Sequence, residues 1–408
     1  MTRGAVRRSR DLVHALESSG AIRSDAVKRA FLAVPREMFV PEIAARDGLD
    51  TVYRPETALV TRTDRRGVGV SSSSAPSIMA PMLEALDLEP GLRVLEVGAG
   101  TGYNAALLSL LVGPAGSITT IDIEPEIVRA ARATLKSGGY RARVVVGDGR
   151  AGFPKRAPFD RIIVTASSSG IPLAWRDQLV DGGLLELPLQ LDGEVSNQVV
   201  ATFRRQGDVL ESTTVIAGGF MGLRDEAGGD APLWANSSLA AGAMTPRGPR
   251  QFAQLTGRAL GSISARRQRE LLVTMLEQPR IVARGMAPAD ADGLALFISL
   301  RAGRDRVRWG EVPRFGVGVF SPGDSSVACV IRSIGRPATI EAWGPLGAEH
   351  RLLELRDEWR RVGRPRIGDF TLTAAVNRAG LGAQIRTLPC GDFVLGIGVR
   401  PELRRRRR

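Results

Sequence analysis

The sequence predicts an α/β fold with a doubly wound, mostly parallel sheet, followed by a second, smaller α/β domain. Three observations support this prediction. They are a buried strand that runs into a glycine-rich turn and a helix, acidic residues at the ends of later strands, and a shift in composition beyond residue 224. At 408 residues the chain is long enough for two domains, each with its own core.

The first observation is a strand, a glycine turn and a helix in succession. An apolar run that ends at Val97 predicts a buried parallel strand. Gly98, Gly100 and Gly102 come directly after it, and the next residues have the apolar spacing of a helix. Such a unit opens a nucleotide-binding fold, because the glycines let a ligand lie against bare backbone. With Glu96 ahead of the turn, the spacing differs from the dinucleotide fingerprint Gly-x-Gly-x-x-Gly.

The second observation is that acidic residues stand at the ends of the next strands. Residues 117–122 predict a strand that ends at Asp122, 20 positions beyond Gly102. Residues 142–146 predict another, and Asp148 comes after it between two glycines. Because the carboxyl ends of parallel strands meet at one sheet edge, we expect the glycine turn and both aspartates to border one crevice. The alternative, ordinary turn residues, explains one such feature more easily than three in register.

The third observation is the shift in composition after residue 224. Glycine, proline and serine are frequent over 225–250 and periodicity is weak, so we expect a linker there. Residues 251–403 then predict the smaller α/β domain. Its predicted elements are a helix around 271–276, strands at 327–331, 339–343 and 393–399, and a helix with an apolar face of Leu352, Leu355 and Trp359. Four arginines flank that face, namely Arg351, Arg356, Arg360 and Arg361. Because no catalytic motif is visible, we expect this domain to recognise a peptide substrate.

The charge balance and the scarcity of cysteine and histidine limit the possible functions. The chain has 56 Lys and Arg against 43 Asp and Glu, and its net charge of +13 favours anionic partners such as acidic peptides. Residues 404–408 are all arginine; we expect a solvated tail, with a docking arm as the alternative. Two cysteines and two histidines argue against a disulfide framework, a zinc cluster or a histidine-based metal site, so we expect no metal. Without a signal peptide or a membrane-spanning run, we predict a soluble, cytoplasmic protein.

The segment ahead of the glycine turn holds a second candidate site. Residues 9–33 predict two helices, with Ser24 as the N-cap of the second. Beyond them the sequence predicts an extended stretch over 34–41, strands at 52–54 and 58–61, and a loop over 62–69. Four serines then precede Pro76 and a helix predicted over 78–86. Hydroxyls and free N–H groups near a helix start suit a carboxylate; the alternative is a helix cap within a flexible serine linker.

From about residue 9 to about residue 224 the chain resembles the protein-L-isoaspartate (D-aspartate) O-methyltransferase family, through short motifs in the family's order. The motifs are Val34-Pro-Arg-Glu-Met-Phe-Val-Pro41, Ser74-Ala75-Pro76, Val94-Leu-Glu-Val-Gly-Ala-Gly-Thr-Gly-Tyr103, Val146-Gly-Asp-Gly149, Ala157-Pro-Phe-Asp-Arg-Ile-Ile-Val-Thr-Ala166, Ile171-Pro172, Asp177-Gln-Leu179, Gly182-Gly183 and Gly219-Phe-Met221. The resemblance implies a Rossmann-like domain that uses S-adenosyl-L-methionine (SAM) and releases S-adenosyl-L-homocysteine. The implied reaction esterifies an aspartyl or isoaspartyl carboxylate within a peptide.

The resemblance also suggests roles for individual residues. We expect the residues that line the cofactor crevice to be Gly98, Gly100, Gly102, Ile123 and Gly149. Glu96 is expected to orient the glycine turn or the methionine amine, Asp122 to hold the ribose, and Asp148 to hold the adenine side. Orientation of the acceptor would fall to three neighbouring hydroxyls, those of Ser72, Ser73 and Ser74. No strong general base is required, since an aspartyl carboxyl titrates near ~4 and is ionised at neutral pH.

One position departs from the family's pattern. Ser72-Ser73-Ser74 correspond to the family's Thr-Ile-Ser, so Ser73 stands where an apolar residue lines the acceptor pocket. A serine-rich signature with a long C-terminal extension looks like the branch associated with ribosomally made, modified peptides. Those relatives methylate an Asp of a cyclised precursor peptide to drive succinimide or isoaspartate formation. We therefore predict peptide maturation, with general isoaspartyl repair by an enzyme with an accessory domain as the alternative.

Two further classes of protein agree less well with the sequence. A nucleic-acid methyltransferase is suggested by the net charge, but the chain lacks an Asn/Asp-Pro-Pro-Tyr/Phe-like motif for an extruded base, so nucleic acid is not the expected partner. A binding protein that has kept the fold and lost the activity is disfavoured by the intact glycines and by both aspartates.

Overall fold

A computed structural model of the chain describes residues 2–63, 69–191, 198–223, 241–248, 251–277, 279–311, 314–333, 336–381 and 384–405. The chain divides into two compact units. The first contains the described residues of 1–234, 372–382 and 388–395, and the second contains those of 235–371, 383–387 and 396–408.

Helices and a small antiparallel ribbon precede the central sheet of the first unit. The helices are α1 (Arg3–Ser18), α2 (Asp25–Ala33), α3 (Pro41–Val52) and α4 (Pro76–Ala85), and the ribbon pairs β1 (Leu59–Thr63) with β2 (Gly69–Ser73). As predicted, Ser24 caps α2, because its hydroxyl oxygen accepts a hydrogen bond of 3.2 Å from the N–H of Val27.

Local predictions in this segment are partly wrong. Residues 36–39 form a 3-10 helix instead of an extended stretch, and this turn buries both Arg36 and Phe39. Val52 is the last residue of α3 instead of the first residue of a strand. Its side chain is buried, like that of Ile43 on the same helix. The strand predicted at 58–61 is confirmed by β1. Of the predicted loop over 62–69, both ends belong to strands, and residues 64–68 lie outside the described residues.

The central sheet begins with the strand ahead of the glycine turn. Its parallel strands are β3 (Arg93–Val97), β4 (Ser117–Asp122), β5 (Ala142–Val146), β6 (Phe159–Val164) and β7 (Leu179–Gln190). The helices between them are α5 (Tyr103–Val112), α6 (Pro125–Ser137) and α7 (Leu173–Asp177). Two antiparallel strands, β8 (Gln198–Gln206) and β9 (Val209–Ala217), continue the sheet. The predicted doubly wound α/β fold is confirmed.

The strand order of this sheet reverses beside β3. Strands β4 and β6 both pair with β3, although the chain reaches β5 between them. Open α/β sheets bind ligands at the carboxyl ends of the strands next to such a reversal. Strand β3 is buried apart from Arg93, as expected for a strand in the middle of a parallel sheet.

The second unit is built on an antiparallel sheet. Its strands are β10 (Ala241–Gly248), β11 (Gln251–Gly257), β12 (Arg280–Met286), β13 (Arg306–Glu311), β14 (Arg314–Ser321), β15 (Ser326–Ser333) and β16 (Arg336–Trp343), in the order β10-β11-β13-β14-β15-β16-β12. Its helices are α8 (Ala265–Glu277), α9 (Pro288–Arg301) and α10 (Gly347–Arg361). As predicted, Leu352, Leu355 and Trp359 are the buried face of α10.

The predicted linker over 225–250 ends in regular structure. Residues 241–248 form strand β10, whose backbone pairs with β11 from Ala241 to Gly248. Residues 224–240 and 249–250 lie outside the described residues. Weak side-chain periodicity therefore did not exclude a strand, because backbone pairing needs no particular side chains.

The chain returns to the first unit near its end. Strand β17 (Phe370–Ala375) pairs antiparallel with β9, and β18 (Arg386–Cys390) and β19 (Phe393–Val399) extend the same sheet, in the order β18-β19-β17-β9-β8-β7-β6-β3-β4-β5. Residues 372–381 and 388–395 thus cluster with the first unit, although they were predicted within the second domain, 251–403. An alternating pattern identifies a strand but does not say which sheet it joins.

The described chain ends in a short helix, α11 (Pro401–Arg405), which contains the first two arginines of the predicted tail. Residues 406–408 lie outside the described residues. Among the described helices, none has both the length and the apolar character needed to cross a membrane.

Candidate functional site

A cavity of about 300 Å³ lies at the carboxyl ends of β3, β4 and β6. The segment between β2 and α4 forms another of its walls. Of the residues predicted for the site, the cavity brings together Ser72, Ser73, Ser74, Glu96, Gly98, Gly100, Asp122, Ile123 and Gly149. Gly102 and Asp148 are not among its lining residues.

Gly98 and Gly100 keep one wall of the cavity free of side chains. Gly98 has a φ of +102°, and a Cβ atom there would lie 2.5 Å from Oγ1 of Thr165. Gly100 has a φ of +48°, and a Cβ atom there would lie 3.4 Å from the carbonyl oxygen of Ser72. A side chain at Gly98 would require both a left-handed backbone and space that Thr165 already fills. The glycine turn also lies directly against residues 71–74, which we call the serine segment.

Asp122 fastens the glycine turn to the end of β4. Its Oδ2 accepts a hydrogen bond of 3.1 Å from the N–H of Gly100, and its Oδ1 accepts one of 3.2 Å from the N–H of Glu124. A carboxylate oxygen can accept more than one hydrogen bond, so these contacts do not exclude a ligand hydroxyl.

Glu96 is fully buried at the end of β3. Its Oε1 accepts a hydrogen bond of 2.9 Å from Nδ2 of Asn104, whereas its Oε2 has no hydrogen-bond partner among the described residues. Burial raises the pKa of Glu96 to about 7, and the charge of Asp122 acts in the same direction. A buried carboxyl group with an unpaired oxygen, on a residue that lines a cavity, suits a ligand that brings a cation or a hydrogen-bond donor.

Two of the predicted residues make other contacts. Gly102 is the N-cap of α5 with a φ of +86°, and a Cβ atom there would lie 3.2 Å from Leu135, so this glycine permits close packing against α6. Asp148 comes after β5, and its Oδ1 accepts a hydrogen bond of 2.9 Å from the N–H of Arg150. The Arg150 guanidinium lies 3.1 Å from Oδ2 of Asp148. A ligand at Asp148 would therefore share that carboxylate with Arg150, and the adenine role of Asp148 stays a prediction.

All four serines of the serine segment line the cavity. Ser73 is buried, and its hydroxyl has no hydrogen-bond partner among the described residues. Helix α4 begins at Pro76, and its N-cap residue Ala75 makes no side-chain cap hydrogen bond. The alternative that one of these serines caps the helix is therefore wrong, because the chain forms strand β2 up to Ser73.

Three residues that shape the site had no predicted role. Thr165 lies within hydrogen-bond distance of the carbonyl oxygens of Val97 and Gly98, at 3.1 and 2.8 Å. Asn104 donates a hydrogen bond to the carboxyl group of Glu96, and Arg36 donates to backbone carbonyl oxygens of the serine segment. Each of the three lies in or next to one of the family motifs, so motif position was the signal that could have singled them out.

Comparison with known proteins gives the site its context. The sequence model of the family "Protein-L-isoaspartate(D-aspartate) O-methyltransferase" matches residues 7–227, which is more than half of the chain. The chain belongs to this family. The match includes the cavity residues at the glycine turn and in the serine segment, and it ends before the second unit.

Relatives and solved structures are similar to this methyltransferase over different extents. The protein-L-isoaspartate O-methyltransferase of Hyperthermus butylicus is 44% identical over 189 residues, which cover 44% of this chain and 74% of the relative. A solved protein-L-isoaspartate O-methyltransferase has a TM-score of 0.49 at 20% identity, covering 96% of this chain and 99% of that one. A putative protein-L-isoaspartate O-methyltransferase from Plasmodium falciparum, solved with S-adenosyl-L-homocysteine, has a TM-score of 0.44 at 22% identity, covering 52% and 97%.

As a member of this family, the protein is a SAM-dependent methyltransferase. The cavity fits such a ligand on two observations. Gly100 leaves open the space beside Ser72 that a side chain would fill, and Oε2 of Glu96 lacks a partner among the described residues. No group of three or more His, Cys, Asp or Glu that could hold a metal ion occurs in the described part of the chain.

Proposed function

We propose that this methyltransferase esterifies the free carboxylate of an aspartyl or isoaspartyl residue within a peptide. The observation that carries the proposal is the contact between the glycine turn and the serine segment on one cavity. The carbonyl oxygen of Ser72 lies 3.4 Å from where a Cβ atom of Gly100 would be. A methyl donor on the glycine turn and an acceptor at the serine hydroxyls would therefore be neighbours.

When bound, SAM supplies an electrophilic methyl group on a sulfonium sulfur. In this proposal the bare backbone of Gly98 and Gly100 receives the ligand. Glu96 accepts a hydrogen bond from the methionine amine through its open Oε2, and Asp122 accepts hydrogen bonds from the ribose hydroxyls. Ile123 and Gly149, which also line the cavity, would border the adenosine.

The chain's own contribution to the reaction is orientation and exclusion of water. An acceptor carboxylate is already ionised at neutral pH, since its pKa lies near ~4, so no residue has to remove a proton. Apolar side chains on the cavity wall, those of Ile78, Met79, Met82 and Phe220, would exclude water around the attacking oxygen. Serine hydroxyls would hold one carboxylate oxygen and leave the other free to attack. Such positioning contributes on the order of 7–11 kcal/mol in well-oriented reactions.

The methyl ester is reactive enough to rearrange without further catalysis. The backbone nitrogen of the next residue can attack the ester carbonyl, which forms a C–N bond, and the methoxy group leaves with the amide proton as methanol. The succinimide ring that results opens with water to aspartate or isoaspartate. Neither step needs a further residue of this chain.

For the substrate we propose a dedicated peptide that is modified during maturation. The support is Ser73, a residue of the cavity wall whose buried hydroxyl has no partner in the described residues, at the position where the resemblance places an apolar residue. A hydroxyl there suits a polar group close to the acceptor. In this proposal the second unit, which lies beyond the family match, would bind further residues of the peptide.

General isoaspartyl repair is the second candidate. It is supported by the family match and by relatives such as the Hyperthermus butylicus protein, which are named for action on L-isoaspartate in proteins.

Two acceptors distinguish the candidates when they are tested with full-length protein and SAM. One is a linear isoaspartyl peptide of generic sequence, and the other is a cyclised peptide with an internal aspartate. We expect a higher kcat/KM on the cyclised aspartyl peptide. Ser73→Ile should lower this preference at least tenfold, while the control Ser73→Thr, which keeps a hydroxyl, should keep it. A wild-type preference for the generic isoaspartyl peptide that Ser73→Ile leaves unchanged would establish repair instead.

A further inference from the structure

Arg36 is completely buried and lacks an acidic partner. Its exposed fraction is 0%, and no carboxylate within the described residues forms a salt bridge with it. Burial lowers the pKa of Arg36, and the adjacent Tyr103 acts in the opposite direction. A buried charge is normally balanced by a nearby opposite charge. The missing counter-charge therefore needs a physical explanation.

The guanidinium of Arg36 forms hydrogen bonds with the backbone of the serine segment. Its Nη2 donates to the carbonyl oxygen of Ser74 at 2.9 Å and lies 3.4 Å from that of Ser73. The guanidinium carbon also lies 5.1 Å from the centre of the Tyr103 ring, which supports the cation from one side. Arg36 does not line the cavity, whereas Ser73, Ser74 and Ala75 do. The arginine thus lies behind the segment as seen from the cavity.

This arrangement sets the direction of two backbone N–H groups. In a planar trans peptide the N–H points opposite to the C=O of the same peptide group. With the Ser73 and Ser74 carbonyls turned to Arg36, the N–H groups of Ser74 and Ala75 point away from it, and both residues line the cavity. Neither N–H donates a hydrogen bond to the described residues. Two free N–H groups with a positive charge behind them form a binding site for an anion.

A side chain points to the same ligand independently. Ser73 lines the cavity and is only 4% exposed, and its hydroxyl has no hydrogen-bond partner in the described part of the chain. An unmade hydrogen bond of a buried hydroxyl costs about 1–3 kcal/mol, so a ligand that completes it gains affinity.

We infer that Arg36 is a positioning residue for the acceptor and that the acceptor carboxylate supplies its missing counter-charge. The carboxylate would accept hydrogen bonds from the N–H groups of Ser74 and Ala75 and from the Ser73 hydroxyl. Arg36 acts through its positive charge, which lies behind the carbonyl groups that it binds, and it does not touch the substrate. This inference rests on the proposed function, because it assigns the charge of Arg36 to the acceptor of that reaction.

The first test compares Arg36→Met with a matched arginine. Arg161 also donates to carbonyl oxygens, those of Leu86 at 2.6 Å, Asp87 at 3.0 Å and Asp160 at 3.0 Å, and it does not line the cavity. We expect Arg36→Met to raise KM for the acceptor peptide at least thirtyfold while SAM affinity changes less than threefold. Arg161→Met should leave KM for the acceptor within threefold of wild type.

The second test removes the charge of the acceptor. A peptide whose acceptor carboxylate is replaced by a carboxamide is compared with the carboxylate peptide for binding in the presence of S-adenosyl-L-homocysteine. Wild type and Arg161→Met should prefer the carboxylate at least tenfold, and Arg36→Met should prefer it less than threefold. Arg36→Gln can still donate to the Ser74 carbonyl but carries no charge, so it should also prefer the carboxylate less than threefold. It takes the place of Arg36→Met in this comparison if that variant does not fold.

The outcomes separate the inference from the proposed function. A neutral variant at position 36 that binds SAM and keeps the tenfold preference for the carboxylate would overturn the inference alone. Wild-type protein that methylates neither an aspartyl nor an isoaspartyl peptide would overturn the proposed function, and the inference with it.

Discussion

At the scale of single residues, Gly100 occupies a place where a side chain would project between the glycine turn and the serine segment. We expect Gly100→Val to abolish SAM binding, because the valine would fill the ligand's space beside Ser72. Isothermal calorimetry with the full-length variant measures this loss. A matched control is Gly139→Val, since Gly139 also has a positive φ, +72°, but its Cβ position meets nothing within 4 Å. Unchanged SAM affinity in a folded Gly100→Val protein would remove the glycine turn from the cofactor site.

The carboxyl group of Glu96 makes a prediction about pH. Its pKa is raised to about 7 in the folded protein from an ordinary value of 4.5, mainly by burial. The folded state therefore binds this proton more tightly than the unfolded state, and the free energy of unfolding should fall as the pH rises from about 4.5 through about 7. The full effect is roughly 3 kcal/mol.

Glu96→Gln removes that titration. Unfolding of ligand-free protein by urea between pH 5 and pH 8 should therefore depend less on pH in the variant than in wild type. Equal pH dependence in the two proteins would contradict the assignment. Glu186, a second buried carboxyl with a raised pKa, is present in both proteins and cancels in the comparison.

Single residues also show which features of the site and the core the sequence did not predict. The motif spacing predicted that Gly98, Gly100 and Asp122 lie together, and they do, because strand ends and a tight turn are set locally. The burial of Arg36 and Glu186 was not predictable in this way. The hydrogen-bond partner of each buried ionisable side chain is distant in sequence, namely the Ser74 carbonyl for Arg36 and the Thr202 hydroxyl for Glu186, at 2.9 and 3.1 Å.

At the scale of elements, a contact between α4 and the start of α2 steadies the helix next to the serine segment. Oε1 of Glu84 accepts hydrogen bonds from the N–H groups of Arg23 and Ser24, both at 2.8 Å, and from the Ser24 hydroxyl at 3.1 Å. The same hydroxyl oxygen caps α2. Ser24 thus contributes to two elements at once.

Ser24→Ala should consequently lower the free energy of unfolding by about 1–2 kcal/mol, through loss of the cap and of the Glu84 contact. Urea denaturation measures the change. Ser137→Ala is a suitable control, because the exposed Ser137 hydroxyl bonds only to the carbonyl of Thr134 on its own helix. A loss no larger than that of Ser137→Ala would show that the cap is dispensable.

The elements themselves were predicted to differing degrees. Strands β4 and β5 coincide with the predicted ranges, because their apolar runs are bounded by glycine and aspartate. Residues 36–39 and Val52 were predicted wrongly, because short prolyl and β-branched stretches have no clear period and tertiary packing decides between helix and strand. The linker prediction failed over 241–248 for the same reason.

At the scale of the whole molecule, three of the arginines on α10 lie beside carboxylates of the same helix. On α10, Arg351 pairs with Glu354 at 3.0 Å, and Arg356 and Arg360 both lie 3.2 Å from Asp357. Such exposed pairs contribute little to stability, but they leave less positive potential for a binding surface. The helix therefore fits a solvated face better than a binding stripe.

The return of the chain to the first unit changes the expected effect of a truncation. The sequence alone predicts that a chain ending near residue 226 keeps SAM binding. Residues 388–395, however, cluster with the first unit and hold the loop after β6. The N–H of Ile171 donates to the carbonyl of Cys390 at 3.2 Å, and Oδ2 of Asp392 accepts a hydrogen bond of 2.9 Å from the N–H of Leu173. Gly170 lies so close that a Cβ atom there would be 2.3 Å from the backbone nitrogen of Gly391.

We therefore expect a chain ending at residue 226 to lose cooperative unfolding, and SAM binding with it, because removal of β17 leaves the edge of β9 unpaired and uncovers the loop at Ile171.

The substitution Asp392→Ala in the full-length protein removes one hydrogen bond of the same contact. It should lower the free energy of unfolding by about 1–3 kcal/mol, since the N–H of Leu173 loses its partner. The control is Asp181→Ala, whose carboxylate accepts a single exposed N–H, that of Gly207, elsewhere in the same unit. Thermal unfolding and SAM calorimetry on the three proteins decide the matter. If the truncated chain unfolds cooperatively and binds SAM like wild type, the return strands are an appendage and residues 2–223 form a complete methyltransferase by themselves.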